Sequence, residues 1–464
     1  MSSAASFTGA NSPRYPAPDV ARGFMLLLIA VANVPVWLMF FPVQAEPGVA
    51  DRWWILMRGL LVDHRAYPLF SILFGFGLMT MVIRRTRAHV GARSTELALQ
   101  MPDMPLPVRE QWLAGFTVEA QADARRLVRR RGFWMLLFGL VHSLLFFGDI
   151  IGTYALVAII FAGLIVKKRF KVMAIIGGVQ IIFMLVFMVA GQMMFELFPG
   201  LQGDPGVGGL NIMLHWYYPL ASFGQWVGST IMTALISIVV PCTFLGAWVA
   251  TTDVMKTPER YRGLLIGLGI GGLTLASLLG APESLHEAGM LSWWMPGAGA
   301  LHEFSGLFGA IGWLALLTLF AGPARESLSG AHRFLSAIGK RSMTAYIGQS
   351  ILFALIFAVM GLSGVRSVTP LQGLGIAIGV WVVLALFCQL LEARGYKRGP
   401  LEVLLRRAVA KSARPHPLPQ IPTSTPTQEF VATEAEAGDS AEGSEASAAV
   451  GAVAEEAAPA ETTG

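Results

Sequence analysis

His142 and Asp149 stand seven residues apart in the run LVHSLLFFGDIIGTY, an otherwise largely apolar stretch. Seven residues is close to two helical turns, so the two share a face for as long as a helix continues. Paired, an imidazole and a carboxylate make an acid–base unit: the acid orients the ring, and the free ring nitrogen takes or gives a proton. Asn33 and Arg65 are suited to negative charge developing nearby, the amide as a donor and the guanidinium as a fixed cation. Asp19 and Arg22 are three apart at a helix start, and Tyr346 and Gln349 are three apart on one face of a later helix. His64 adjoins Arg65, and His302 adjoins Glu303. Structural roles compete with each: His142 as a buried hydrogen bonder, Asp149 as a helix cap, Asp19 and Arg22 as a local ion pair, Arg129 to Arg131 as a membrane-surface anchor.

These groups need elements that hold them in lipid. Of the 464 residues, 54% are hydrophobic and only 14% charged, and the mean hydropathy is +0.60, too apolar for a soluble chain of this length. Spanning a bilayer takes about 20 apolar residues per helix. Ten segments qualify: 20–41, 64–83, 132–148, 149–166, 171–194, 223–250, 261–281, 300–321, 343–361 and 371–391. The expected fold is therefore all-α, a polytopic transmembrane bundle of about ten helices, with Gly148-Asp149 as a tight turn at one face. At about 1.5 Å per residue, Asn33 lies roughly 16 Å beyond Arg22, and His142 a similar distance beyond Arg131, both near the midplane.

Lys and Arg set the orientation, because short loops rich in them stay cytoplasmic. The N-terminus, 84–131, 167–171, 256–262, 325–341 and the chain from Arg394 on hold 30 of the 34 basic residues. Segments 195–222 and 282–299 hold none, yet carry Glu196, Asp204, His215, Glu283, His286 and Glu287. Both termini are expected to be cytoplasmic, and this asymmetry accounts for the +5 net charge without nucleic-acid binding.

Residues 1–19 read as a cytoplasmic segment, 20–408 as the transmembrane core with a cytoplasmic insertion at 84–131, and 409–464 as a disordered acidic tail. The insertion contains MPDMPLP and ends in TVEAQADARRLVRRR, an amphipathic helix for the headgroup region. The first apolar segment has no cleavage pattern after it and reads as a retained anchor. Cys242 and Cys388 fall inside predicted helices and read as buried thiols. Gly263, Gly267 and Gly271 put a smooth stripe on one helix face for close packing, and LFGFG at 73–77 suggests the same. No nucleotide loop, metal-ligand pair or nucleophile elbow is present in the sequence.

PDVARGFMLLLIAVAN resembles the Asp-x-x-Arg-Gly…Asn opening of the YeiB-like bacterial membrane proteins, a family of unknown function. RAYPLFSILFGFGL, GLVHSLLFFGDIIGTYAL, GKRSMTAYIGQS and YKRGPLEVLLRR continue the resemblance in order, so that it covers most of residues 18–408. Ala345 stands where that family commonly has Asn, and the His142-to-Asp149 spacing is one residue shorter than its pattern. The resemblance implies a multi-pass protein of the bacterial inner (plasma) membrane. The opening and the Tyr67-Pro68-x-Phe70 region are also similar to the transmembrane glucosaminide acetyltransferases and wider membrane acyltransferases. Those enzymes carry an acyl group from a cytosolic thioester to a sugar across the membrane. Trp54 stands where their active-site His lies, so only the scaffold carries over.

The leading expectation is an acyltransferase-like integral membrane protein. His142 is expected as general base, Asp149 as its orienter and Asn33 as oxyanion donor, with Arg65 in the same cavity. Arg22 and Arg129 to Arg131 would face the donor, and Asp19, Tyr346, Gln349 and Glu303 complete the substrate contacts. No bound cofactor or metal is expected; acyl-CoA would be a diffusible donor, and a small molecule or glycan the acceptor. A small-solute transporter using the same midplane groups is the alternative, although no inverted repeat relates the two halves. A non-catalytic membrane protein is the third reading.

Overall fold

The computed structural model describes residues 15–41, 43–198, 216–293, 295–325, 327–414 and Ile421. Asp204, His215 and nearly all of the acidic tail lie outside the described residues, as does the side chain of Glu196. Among the described residues the protein is all-helical, as the hydropathy pattern requires. The helices are α1 (Ala17–Leu38), α2 (Val49–Leu61), α3 (Ala66–Gln100), α4 (Leu106–Ser143), α5 (Ile151–Val166), α6 (Phe170–Leu197) and α7 (Tyr218–Ile236). They continue with α8 (Val239–Val249), α9 (Arg262–Glu287), α10 (Ala298–Ala321), α11 (Gly330–Gly339), α12 (Ser342–Leu362), α13 (Pro370–Ala393) and α14 (Pro400–Lys411).

Among the described residues, seven stretches are long and apolar enough to cross a membrane: α1, the α2–α3 stretch, most of α6, and α9, α10, α12 and α13. Helices α7 and α8 add an eighth if counted as one span, bent by 60° at Ser237 and Ile238. The remaining two of the ten expected segments are shorter. One is α5, of 16 residues, and the other is the apolar end of α4, which stops at Ser143. These two run antiparallel: a Cβ on Gly132 would meet Ile159, and one on Gly139 would meet Gly152. Helix α2 falls where a loop was expected and carries Asp51, which receives Gly48 N–H at 3.1 Å and Leu371 N–H at 2.9 Å.

The chain divides into two compact units, residues 1–85 with 121–414, and 86–120 with 415–464. In the second, no breaker interrupts the chain before Pro102, so α3 extends to Gln100, and α4 starts at Leu106 after the Pro-rich turn. Two long helices therefore replace the single amphipathic helix expected for the insertion. Within this unit Leu97 and Phe116 are buried, Arg93 lies over the Phe116 ring at 4.9 Å, and His89 contacts Glu119 at 3.4 Å.

In the first unit α1 is central, touching α10, α11, α12 and α13. Trp37 is fully buried between Phe146 and Phe357, with ring centroids at 5.4 and 6.2 Å. Helix α9 packs along α10, but not through Gly263, Gly267 and Gly271, where an added Cβ would meet nothing. The contact uses the other face, where Gly272 and Gly312 bring the two backbones within a Cβ of touching. At Gly75 of LFGFG the packing reading holds: a Cβ there would lie 1.9 Å from the Thr243 carbonyl oxygen of α8.

Candidate functional site

A cavity of about 870 Å³ opens between the starts of α1, α5 and α12, the interior stretches of α3 and α4, and α14. Close backbone approach builds its rim. A Cβ on Gly339 would lie 1.8 Å from the Asp19 carbonyl oxygen, so α11 presses on α1 and brings Lys340 beside Asp19 and Arg22. On the other side Glu402 of α14 holds the start of α12, accepting Met343 N–H at 2.7 Å and the Thr344 hydroxyl at 2.6 Å. Arg341, fully buried, ties the same region to the Tyr396 carbonyl and to Glu392 at 2.9 Å. These contacts explain why the KR pairs at 340–341 and 397–398 sit where they do: Lys340, Lys397 and Arg398 face the cavity, while Arg341 braces it.

The lining is strongly basic. Arg22, Arg85, Arg130 and Arg131 come from one side and Lys340, Lys397, Arg398 and Arg406 from the other, with Asp19 and Glu402 as the acids of the lining; Arg85 also pairs with Asp123 at 2.6 Å and Lys340 with Glu392 at 2.9 Å. Arg22 reaches Asp19 at 3.5 Å and the Leu73 carbonyl at 3.3 Å, so the expected local ion pair exists at the edge of the cavity. Arg131, just before the apolar end of α4, has its pKa lowered by burial and then by the guanidinia of Arg22 and Arg406, with Glu402 opposing. So concentrated a set of cations favours an anion. Arg129 is turned away, donating to the Ile159 carbonyl at 3.2 Å.

The cavity is deep. On α3 its lining runs from Arg85 to Phe70, fifteen residues and so roughly 22 Å, against a hydrocarbon thickness of about 30 Å. Its floor carries Ile151, Tyr154 and Tyr346. Tyr154 is fully buried, stacks on Phe70 at 4.8 Å and donates to the Tyr67 carbonyl at 3.0 Å.

Behind Tyr346 lies the His142–Asp149 pair, with the two rings 5.3 Å apart, edge to face. His142 Nδ1 is 2.8 Å from Asp149 Oδ1. Asp149 Oδ2 accepts Gly152 N–H at 2.9 Å and the Trp226 indole N–H at 3.1 Å. Because α4 ends at Ser143, the two meet across a turn and not along one helix face, so the capping and pairing readings of Asp149 hold together. Both side chains are buried, and His142 Nε2 has no partner among the described residues.

A second cluster stands one turn beyond the floor, at the start of α3. Glu303 accepts from Tyr67 Oη and faces His64 Nδ1 at 2.5 Å. The His302 ring lies edge-on to His64 at 4.5 Å and contacts the Gly59 carbonyl at 2.9 Å, so both members of the His302-Glu303 pair are engaged inward. Arg65 is fully buried and donates to the carbonyls of Asp63 and Ala276 at 2.5 and 2.8 Å. Gln349 donates to the Leu26 carbonyl at 2.8 Å. Asn33 is half-buried, and no hydrogen bond joins it to His142, Asp149 or Arg65 among the described residues. Of the residues chosen from sequence, Asp19, Arg22 and Tyr346 line the cavity, while Asn33, Arg65, His142, Asp149, Gln349 and Glu303 do not. Tyr67, Tyr154 and Trp226 were missed; only the fold shows what their polar tips touch.

Residues 245–412 match the family model described as "Protein of unknown function (DUF418)". This accords with the YeiB-like resemblance and assigns no chemistry. No curated protein and no solved structure matches the chain. The DUF418 region supplies Glu303, Tyr346 and one side of the basic rim. Arg22, Arg130, Arg131 and both histidines of the two carboxylate pairs come from outside it.

Proposed function

We propose that this multi-pass membrane protein transfers an acyl group from a phosphate-bearing thioester, bound in the basic cavity, to an acceptor beyond the floor. The observation that carries the reading is the shape and charge of the cavity: eight cations and two acids line it, among the described residues only Arg85 and Lys340 of these cations are paired with acids outside the lining, and the lining reaches down to Phe70, Tyr154 and Tyr346. A carrier with several phosphates matches the rim, and a long arm matches the depth. Arg22, Arg130 and Arg131 hold the phosphates by charge-assisted hydrogen bonds. The acyl end comes to Tyr346, and His142, held by Asp149 behind that ring, exchanges protons with the reacting groups once the Tyr346 side chain moves aside. Arg65, its outer nitrogens held by the carbonyls of Asp63 and Ala276, fixes the start of α3 against α9.

Calorimetry on the detergent-purified full-length protein tests this with acetyl-CoA. Binding that weakens at least tenfold in Arg130→Glu/Arg131→Glu, and that free acetate does not reproduce, is expected. Absence of acetyl-CoA binding by the wild type would overturn the reading.

One observation favours transport as a second reading. The break between α7 and α8 lies beside the second cluster: a Cβ on Gly306 would meet both the His64 carbonyl and Ile238. Broken helices next to buried ionisable groups are a feature of transporter sites. Uptake of a solute by proteoliposomes without thioester consumption would favour it.

A further inference from the structure

We propose that His64, with Glu303 and Tyr67, forms the acceptor-side base, taking the proton of a hydroxyl or amine that approaches from beyond the cavity floor. The inference rests on the acyl-transfer reading and adds to it the class of acceptor and the group that activates it. Two imidazole–carboxylate pairs flank the floor, and they differ in access. The His142 side chain is 1% exposed, whereas that of His64 is 37% exposed. Both oxygens of Glu303 are engaged, one by Tyr67 and one by His64 Nδ1 at 2.5 Å. With Nδ1–H given to the carboxylate, His64 Nε2 carries the lone pair, and a group offering O–H or N–H is what that nitrogen receives.

The backbone points the same way. His64 has φ +58°, a left-handed conformation uncommon outside glycine that persists where packing holds it. Gly306 makes room for it, since a Cβ there would sit 1.9 Å from the His64 carbonyl oxygen. The surroundings are ionic. Arg58 pairs with Asp63 at 2.7 Å and with Glu287 at 3.8 Å, Glu287 is 46% exposed, and such a rim belongs in water.

In the transfer, the acceptor proton passes to His64 Nε2 as the acceptor oxygen or nitrogen bonds the acyl carbon. The carbon–sulfur bond then breaks, the thiolate leaves with a proton that His142 Nε2 relays from water in the open cavity, and His64 Nε2 releases the acceptor's proton to water on its exposed side. Tyr154, bonded to the Tyr67 carbonyl, marks where the donor and acceptor sides meet.

The test uses the full-length protein in phosphatidylethanolamine/phosphatidylglycerol vesicles, with acetyl-CoA as donor and glycerol as acceptor. His64→Ala is expected to bind acetyl-CoA within twofold of wild type, to lose about a hundredfold or more in acetyl transfer, and to recover with added imidazole. His142→Ala, with its enclosed site, is expected not to recover. Diethylpyrocarbonate is expected to modify His64 and spare His142. Wild-type transfer by His64→Ala, loss without imidazole rescue, or failure of His64 to be modified each overturns the assignment while leaving donor binding untouched. A wild type that does not bind acetyl-CoA instead overturns the acyl-transfer reading, and this assignment with it.

Discussion

At Asp149 a single carboxylate meets three partners: Oδ1 contacts His142 Nδ1, and Oδ2 accepts from Gly152 N–H and from the Trp226 indole. Asp149→Asn can keep its amide oxygen on Gly152 and Trp226 and turn its NH2 to His142 Nδ1, which then accepts and carries its proton on Nε2 instead. The variant is expected to abolish transfer with little change in the melting temperature of the purified protein, because each contact is kept while the imidazole tautomer is reversed. His142→Ala leaves the Asp149 Oδ1 unpaired in a buried site at a cost of about 1–3 kcal/mol and is expected to abolish transfer with a larger thermal shift. An Asp149→Asn variant with wild-type transfer would show that the carboxylate does not orient the ring. The pair was legible in the sequence through its spacing, although the geometry that joins it is a turn and not a helix face. The His64–Glu303 contact was not legible, because 239 residues separate the partners and no local period relates them.

Helix contacts sort the glycines in a way that sequence spacing does not. Gly263, Gly267 and Gly271 repeat at four-residue intervals and look like a packing seam, yet an added Cβ meets nothing at any of them. Gly75 and Gly246 lack so regular a repeat and sit at a crossing of α3 and α8. A Cβ on Gly246 would lie 1.8 Å from the Ile72 carbonyl oxygen, and one on Gly75 would lie 1.9 Å from that of Thr243. Backbone cannot yield as a side-chain tip does, so Gly75→Ala should cost about 1–3 kcal/mol or more through forced displacement. Gly267→Ala should be neutral or slightly stabilising, because alanine favours the helix. Thermal unfolding in detergent measures both, and equal effects would contradict the packing of α3 on α8. Helix existence was legible because long apolar runs have few other solutions in lipid. Which face of each helix packs was not, since the lipid-facing and core-facing sides are equally apolar.

For the whole molecule, the function depends on which side of the membrane holds the basic cavity. With α7 and α8 counted as one span there are eight where hydropathy suggested ten, a difference of two crossings that leaves the side on which the chain ends unchanged. The apolar end of α4 and helix α5 form an antiparallel pair, so the chain returns with Lys167 to the end it left with Arg131, whether the pair crosses fully or not. The cavity rim draws on the basic residues around 22, 85, 130, 340, 397 and 406, the same groups that charge asymmetry assigns to the cytoplasm. A bacterial alkaline phosphatase fusion at Met290 should therefore be active and a fluorescent-protein fusion there dark, while a fluorescent fusion after Ser412 should glow. Fluorescence at Met290 would place the cavity on the outer face, where no cytosolic thioester could reach Arg130 and Arg131. The acyl-transfer reading would then fail on topology alone, however well the cavity bound an anion in detergent.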